Sequence, residues 1–247
     1  MTMPLLQVKD LSIRFGGIIA AEDVNLSVNP GENLAIIGPN GAGKTTFLNI
    51  CTGYLSPVSG TVHFMGRDIT RLAPRNITRL GIARAFQIPQ LFLEQTVNEN
   101  MLLAITARHT SLSTIRPLGT SAFRDEAADI LSLLKVADFA ARPAQELPEG
   151  TRKLVDIAIA LALQPRLLLL DEPTSGVASS EKFAVMDVLV AALATRGVSS
   201  VFVEHDMEMV TRYANRVAVW NGGRVQKSGP PQDILDDPEV RRTVIGH

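Results

Sequence analysis

Cysteine occurs once in the 247 residues, at Cys51, so an internal disulfide is excluded; flanked by Asn49, Ile50 and Thr52, it reads as a small buried residue in a reducing compartment. A basic excess is also missing. The 24 Lys and Arg face 25 Asp and Glu, a formal net charge of -1, which argues against an extended polyanion-binding surface and gives no nucleic-acid partner. Long apolar runs are absent: the longest, Leu154 to Leu163 and Leu167 to Leu170, fall short of the ~18 residues that span a bilayer. Any membrane association therefore comes through a partner. The opening Met1-Thr2-Met3-Pro4 lacks the charged and apolar regions of a signal peptide, so the expected location is the cytoplasm. Internal repeats and low-complexity tracts are lacking too. The length suffices for one large domain or two lobes, and two lobes are expected.

What the chain does contain is organised around Gly38-Pro39-Asn40-Gly41-Ala42-Gly43-Lys44-Thr45-Thr46, which matches G-x-x-x-x-G-K-[ST]. An apolar run, Leu34 to Ile37, precedes it, and a helix is expected from Thr46 to Leu55. Strand before and helix after is the context a phosphate-binding loop needs. The glycines let successive N–H groups point inward at phosphate oxygens, and the helix N-terminus adds partial positive charge. Lys44 is expected to reach the β- and γ-phosphates, and the Thr45 hydroxyl to ligate Mg²⁺.

Upstream, apolar residues alternate through Leu6, Val8, Leu11, Ile13 and Phe15 and again through Val24, Leu26 and Val28, predicting antiparallel strands with one buried face. Phe15 is either an aromatic on which adenine lies or a strand-end core residue. Downstream, Thr61 to Met65 reads as a sheet-edge strand and Pro74 to Leu80 as a short helix. Gly81 to Gln87 reads as a strand ending on a glutamine, whose amide can serve a metal with its oxygen and a water with its N–H. From Ile88 to Glu146 the pattern is helical, over Val97 to Arg108 and Phe123 to Val136, with a polar break near His109 to Pro117. This predicts a helical lobe inserted into a sheet lobe.

A largely buried helix is predicted over Arg152 to Leu163, stopped by Pro165. The Leu167 to Leu170 run then suits a central parallel strand covered on both faces, and it ends in Asp171-Glu172. Ligands of open α/β sheets bind at the carboxyl ends of strands, which is where both motifs lie. Asp171 is expected to hold Mg²⁺, and Glu172 to orient or deprotonate the attacking water. A helix follows through about Arg196. The next apolar strand, Val198 to Val203, ends in Glu204-His205-Asp206, where His205 can reach a γ-phosphate as a donor. Val217 to Trp220 and Arg224 to Lys227, joined by Asn221-Gly222-Gly223, read as a hairpin, with a small helical tail from Pro231; Asp236-Asp237 and Arg241-Arg242 read as solvated surface.

A phosphate loop, a strand-end Gln, a helical lobe, a short glycine-containing motif opening a helix, a leucine strand with Asp-Glu and a strand-end His form a series that resembles an ATP-binding-cassette ATPase over essentially the whole chain. Phe15-Gly16-Gly17, Thr96 to Asn100, Val203 to Met207 and Asp233 to Val240 look like the ATPase subunits of branched-chain amino-acid importers. The resemblance implies an α/β fold: a P-loop NTPase core with an antiparallel β subdomain and an inserted helical subdomain. Residues 1–87 and 147–247 would form the core lobe and 88–146 the helical one. It also implies ATP and Mg²⁺ as ligands, with Leu147 and Gly150 contributing to a nucleotide held between two ATPase subunits. Gln87 and the helical lobe would face a transmembrane permease, placing the chain on the inner face of the membrane, and a solute-binding protein would act indirectly.

The family signature Leu-Ser-Gly-Gly-Gln is altered here: Pro148 replaces the phosphate-contacting Ser, Glu149 the first Gly and Thr151 the Gln. Pro148 offers neither hydroxyl nor N–H. A carboxylate at Glu149, facing inward, would repel a partner's phosphates. An asymmetric pair with a second, different ATPase subunit is therefore expected. Ala178 also stands where the family carries Asp or Asn. Urea or amide importers and lipopolysaccharide-export ATPases have similar single-domain ATPases. DNA-repair ATPases of this class carry long coiled-coil insertions that are missing here, and a small-molecule kinase would not explain Leu147 to Thr151.

Overall fold

The computed structural model describes residues 3–109 and 120–245; the polar break expected at His109 to Pro117 lies outside them from Thr110 onward. In chain order the elements are β1 (Leu6–Phe15), β2 (Ile18–Val28), β3 (Asn33–Ile37), α1 (Lys44–Cys51), β4 (Ser59–Phe64), β5 (Arg67–Asp68), α2 (Pro74–Leu80), β6 (Ile82–Ala85) and α3 (Val97–Arg108). There follow α4 (Ser121–Leu133), α5 (Glu149–Ala162), β7 (Leu167–Asp171), α6 (Lys182–Arg196), β8 (Ser199–Val203) and α7 (Met207–Tyr213). The chain then runs through β9 (Arg216–Asn221), β10 (Arg224–Gly229), α8 (Pro231–Leu235) and α9 (Pro238–Val240).

Two sheets result. One is antiparallel, in the order β2-β1-β4-β5; the other has the order β10-β9-β3-β8-β7-β6, with β3, β6, β7, β8 and β9 mutually parallel and β10 antiparallel at one edge. Successive side chains point to opposite faces, which explains why the central parallel strands are mostly apolar on both. Along β7, Leu168 and Leu170 join the core packed under the helices, while Leu167 and Leu169 join the core shared with α1 and the antiparallel sheet. β9 divides the same way, Val217 and Val219 to one side and Ala218 and Trp220 to the other. Both faces of these strands are thus covered, while edge strand β10 stays partly exposed.

Several boundaries differ from expectation. The first helix begins at Lys44 because Gly43 caps it in the left-handed region (φ 109°), and it closes at Cys51. β4 is second from the edge, since Met65 and Gly66 at positive φ turn the chain back to pair β5 against it. β6 stops at Ala85 because the Phe86 N–H goes to Asp156 on α5. Asp237 caps α9 and pairs with Lys227 at 2.7 Å, and Arg241 pairs with Asp236 at 2.6 Å, so those charges are engaged. Helix α3 starts at a capping box in which Thr96 and Glu99 exchange hydrogen bonds. Helix α5, assigned to the core lobe by a boundary at residue 147, packs on α3 and α4 as well as on β6.

Candidate functional site

The loop after β3 lies beside the carboxyl ends of β7 and β8, because β8 pairs with both β3 and β7. Trp220 of β9 supports it from beneath, with Nε1 donating to the Ala42 carbonyl at 2.8 Å and its ring 5.0 Å from that of Phe47. Gly43 has to be glycine: a Cβ there would sit 1.9 Å from the Ala20 carbonyl oxygen. Residues Asn40 to Thr46 line a cleft of about 230 Å³ together with Phe15, Ile18, Ala20 and Glu172. Phe15 is 46% exposed there, which overturns its reading as a core phenylalanine. A larger cavity, about 690 Å³, opens between α2, the end of α3 and the turn after α5 and contains none of the motif residues, so size alone does not identify the site.

Lys44 is buried and folds over its own loop, donating to the Gly38 and Pro39 carbonyls at 2.6 and 2.9 Å. Burial lowers its pKa, and the carboxylates of Glu172 and Asp171 oppose that shift. Thr45 Oγ1 lies 3.4 Å from a carboxylate oxygen of Asp171. These are the hard oxygen donors that suit Mg²⁺, which is bound by one or two carboxylates plus substrate phosphates. No group of three or more His, Cys, Asp or Glu among the described residues could hold a metal without such help.

Glu172 sits just past β7 at φ 52°, a conformation that a non-glycine residue adopts only when its surroundings impose it. Its N–H donates to Val203 O at 3.1 Å. Gln87 Nε2 donates to one of its carboxylate oxygens at 2.7 Å, and His205 Nε2 stands 3.2 Å from the other. Residues 85 and 33 positions away in the chain thus meet at the Glu172 carboxylate.

The sequence reading passed over four charged groups that build this arrangement. Arg84 pairs with Asp171 at 2.6 Å. Glu204 is buried, its carboxyl raised in pKa by desolvation, and it accepts the Thr174 N–H and hydroxyl at 3.2 and 2.8 Å, holding the turn after Glu172. Lys153 and Asp156 of α5 reach the segment carrying Gln87. Their common signal is a charge on an otherwise apolar face, visible at Asp156 in the run Leu154 to Leu163.

Leu147 and Gly150 do not line the cleft. Leu147 is 4% exposed and serves packing, its carbonyl accepting from Arg152 Nη2 at 3.1 Å; Gly150 is packed against Val177 and Val185. Helix α5 begins at Glu149, whose carboxylate pairs with Arg152 at 3.4 Å. That pairing offsets part of the negative charge expected at Glu149.

The family described as ABC transporter matches residues 21–175. The chain is 37% identical over 257 residues to the high-affinity branched-chain amino acid transport ATP-binding protein LivG of Escherichia coli, covering 100% of this chain and 99% of that one. It is 35% identical to the corresponding protein BraF of Pseudomonas aeruginosa, with 100% and 99% covered. Among solved structures, the ADP conformation of an ATP-binding cassette of an ABC transporter superposes with a TM-score of 0.88 at 32% identity, covering 100% of both chains.

Proposed function

This chain belongs to the ABC transporter family, and from that premise we propose that it is the ATP-hydrolysing subunit of an importer of branched-chain amino acids. One observation carries the hydrolytic part: the Glu172 carboxylate is held between Gln87 and His205 in the wall of the cleft formed by the phosphate loop. The amino-acid part is supported by full-length similarity to the LivG and BraF proteins.

In this reading the backbone N–H groups of Asn40 to Thr46 and the Lys44 ammonium cradle the phosphates of ATP, and Phe15 lies against the adenine. Thr45 and Asp171, with Gln87, would hold Mg²⁺, which neutralises developing charge on the phosphates. Glu172 orients the attacking water and accepts its proton. His205, whose Nε2 stands 3.2 Å from the Glu172 carboxylate, donates to the γ-phosphate. Both lie at strand ends, where a rigid sheet keeps the donors in place before the reaction begins.

The partners are a permease and a second ATPase subunit. Tyr54, Ile88, Phe92 and Leu93 are exposed apolar side chains, three of them on the stretch that follows Gln87, and they supply an apolar surface for a permease segment. Among the described residues no helix is long and apolar enough to cross a membrane, so the chain would be held at the inner membrane face by that permease. Pro148 and Glu149 favour pairing with a different ATPase chain, whose own signature would complete the site built on Lys44 and Glu172.

The test is ATP hydrolysis by the chain alone, by Glu172→Gln, and by each reconstituted with its neighbouring ATPase and permease. Hydrolysis confined to the complex and abolished by Glu172→Gln supports the proposal. Wild-type rates from Glu172→Gln in every mixture would place the productive site on the partner. Equal hydrolysis at two sites of an ATP-dependent homodimer would remove the second subunit. Uptake of leucine against urea by the reconstituted complex decides the solute.

A further inference from the structure

Helix α5 carries two charges on a face that otherwise packs into the core. Lys153 is 3% exposed and Asp156 6%. They stand three residues apart, hence on the same side of the helix. Burying such groups is costly unless they are paired or hydrogen-bonded, and apolar residues of similar volume would serve packing at least as well. What they contact is therefore informative.

Asp156 accepts the N–H of Phe86 at 3.2 Å and the N–H of Gln90 at 3.2 Å, one on each side of Gln87. Lys153 donates from Nζ to the carbonyl of Gln87 itself and lies 3.5 Å from the carbonyl oxygen of Glu172. Between them the two side chains take three backbone groups of the Phe86 to Gln90 stretch. That stretch has left β6 and has no strand partner for those groups. The Gln87 side chain then reaches the Glu172 carboxylate at 2.7 Å. The connection is continuous from α5, through two buried charges, to the backbone of Gln87 and Glu172, and from there to the carboxylate.

We infer that Lys153 and Asp156 are positioning residues that fix Gln87 and Glu172 relative to α5, so that a displacement of α5 is delivered to the hydrolytic carboxylate. The inference rests on the proposed role of Glu172. It adds a direction of communication: α5 opens at Pro148-Glu149-Gly150-Thr151, the stretch that faces a partner's nucleotide in the proposed pair, whereas Glu172 serves this chain's own nucleotide. Occupancy of one site thereby adjusts geometry at the other. Neither charge touches the nucleotide-binding loop, so binding and turnover separate.

The experiment uses the complex reconstituted with its permease and second ATPase subunit. Lys153→Met, Lys153→Arg and Asp156→Asn are compared with wild type, with Glu172→Gln as the reference for the site. The readouts are ATP affinity of the purified chain, kcat and KM of the complex, and amide exchange over Phe86 to Gln90. A displacement near 1 Å at a reacting group costs about 100-fold, so Lys153→Met is expected to lower kcat by roughly 10- to 100-fold. ATP affinity should stay within about twofold, the pattern of an interaction that matters in the transition state alone. Lys153→Arg should restore most of the rate. Asp156→Asn, whose amide can accept through one oxygen only, should speed exchange at Phe86 or Gln90. In a Gln87→Ala background, Lys153→Met should cost little more, because both act on one contact.

Independent, multiplicative losses from Lys153→Met and Gln87→Ala would overturn the inference, as would wild-type kcat in Lys153→Met while Glu172→Gln is inactive. Should Lys153→Met fail to fold, unchanged exchange and kcat in Asp156→Asn would overturn it equally. If Glu172→Gln keeps the wild-type rate, it is the reading of the site that fails.

Discussion

Arg84 Nη2 holds a carboxylate oxygen of Asp171 at 2.6 Å, with the two side chains 5% and 4% exposed. Arg84 also donates to Asn49 and lies over the Phe86 ring at 4.8 Å from its centroid. The residue proposed to face Mg²⁺ thus has a cation on its other side. Removing one partner of a buried pair leaves a charge unpaired, at about 3–5 kcal/mol. Arg84→Ala is expected to lower the urea midpoint accordingly, and Mg²⁺ with ATP should recover part of the loss by giving Asp171 a second cation. A loss that is the same with and without Mg²⁺ and ATP would show that Arg84 does not share Asp171 with the metal.

Lys44→Ala removes a charged donor from the phosphate loop. Hydrogen bonds to charged groups contribute about 1.5–3 kcal/mol, so ATP affinity should fall roughly 10- to 150-fold. Folding should survive, since the loop is held from beneath by Trp220, whose Nε1 donates to the Ala42 carbonyl. Titration with a fluorescent ATP analogue reads the affinity; an unchanged Kd would mean that Lys44 stays folded on its own loop when nucleotide binds.

Gly43→Ala fails for a different reason. The added Cβ would lie 1.9 Å from the Ala20 carbonyl oxygen, at φ 109°. The loop has to move away from β2, and nucleotide binding should be lost without the charge having changed. Retained binding would mean that β2 yields instead, which a crystal structure of the variant would reveal.

Cys51 is fully buried at the C-terminal end of α1, and burial pushes its thiol up to about 12. The thiolate is the reactive form. At pH 8 an alkylating reagent should leave the native chain unlabelled, while the urea-unfolded chain is labelled stoichiometrically. Labelling of native protein at the unfolded rate would contradict the core position.

Asp156 gives a pH signature. Burial raises its carboxyl from 3.8 to about 6, against the pull of the Gln90 and Phe86 N–H groups and of Lys153. The folded chain therefore binds a proton here more tightly than the unfolded one between those values, and stability falls as pH rises. The contribution is complete below about pH 4 and lost as pH passes through about 6, on the order of 3 kcal/mol in all. Other carboxylates titrate in the same range with the opposite sign, so the difference between wild type and Asp156→Asn is the quantity to follow. It should move against wild type from pH 4 to 7 in urea unfolding; a flat difference would mean that Asp156 is not buried as a charge.

Local spacing made much of this molecule legible. The alternation in β1 and β2, the helical period over Val97 to Arg108, and the all-apolar β7 are consequences of side-chain direction within a few residues. The phosphate loop is equally local, because its backbone shape depends on glycines inside it. The groups that went unread are those whose purpose lies far along the chain. Arg84 and Asp171 are 87 positions apart, Glu204 and Thr174 30, and Trp220 and Ala42 178. No period or motif marks such a pair, and an Asp inside an apolar helix looks like an interruption until its two N–H donors are seen.

Sequence by itself determined which residues can carry phosphate chemistry and which segments form strands and helices, because both follow from short-range geometry and residue type. Tertiary structure alone decided that Gln87, Glu172 and His205 meet at one carboxylate, that Phe15 faces the cleft, and that Lys153 and Asp156 hold the backbone around Gln87. Those relations depend on the order β3-β8-β7-β6 in the sheet and on α5 packing across it, and strand order is set by how the whole core closes.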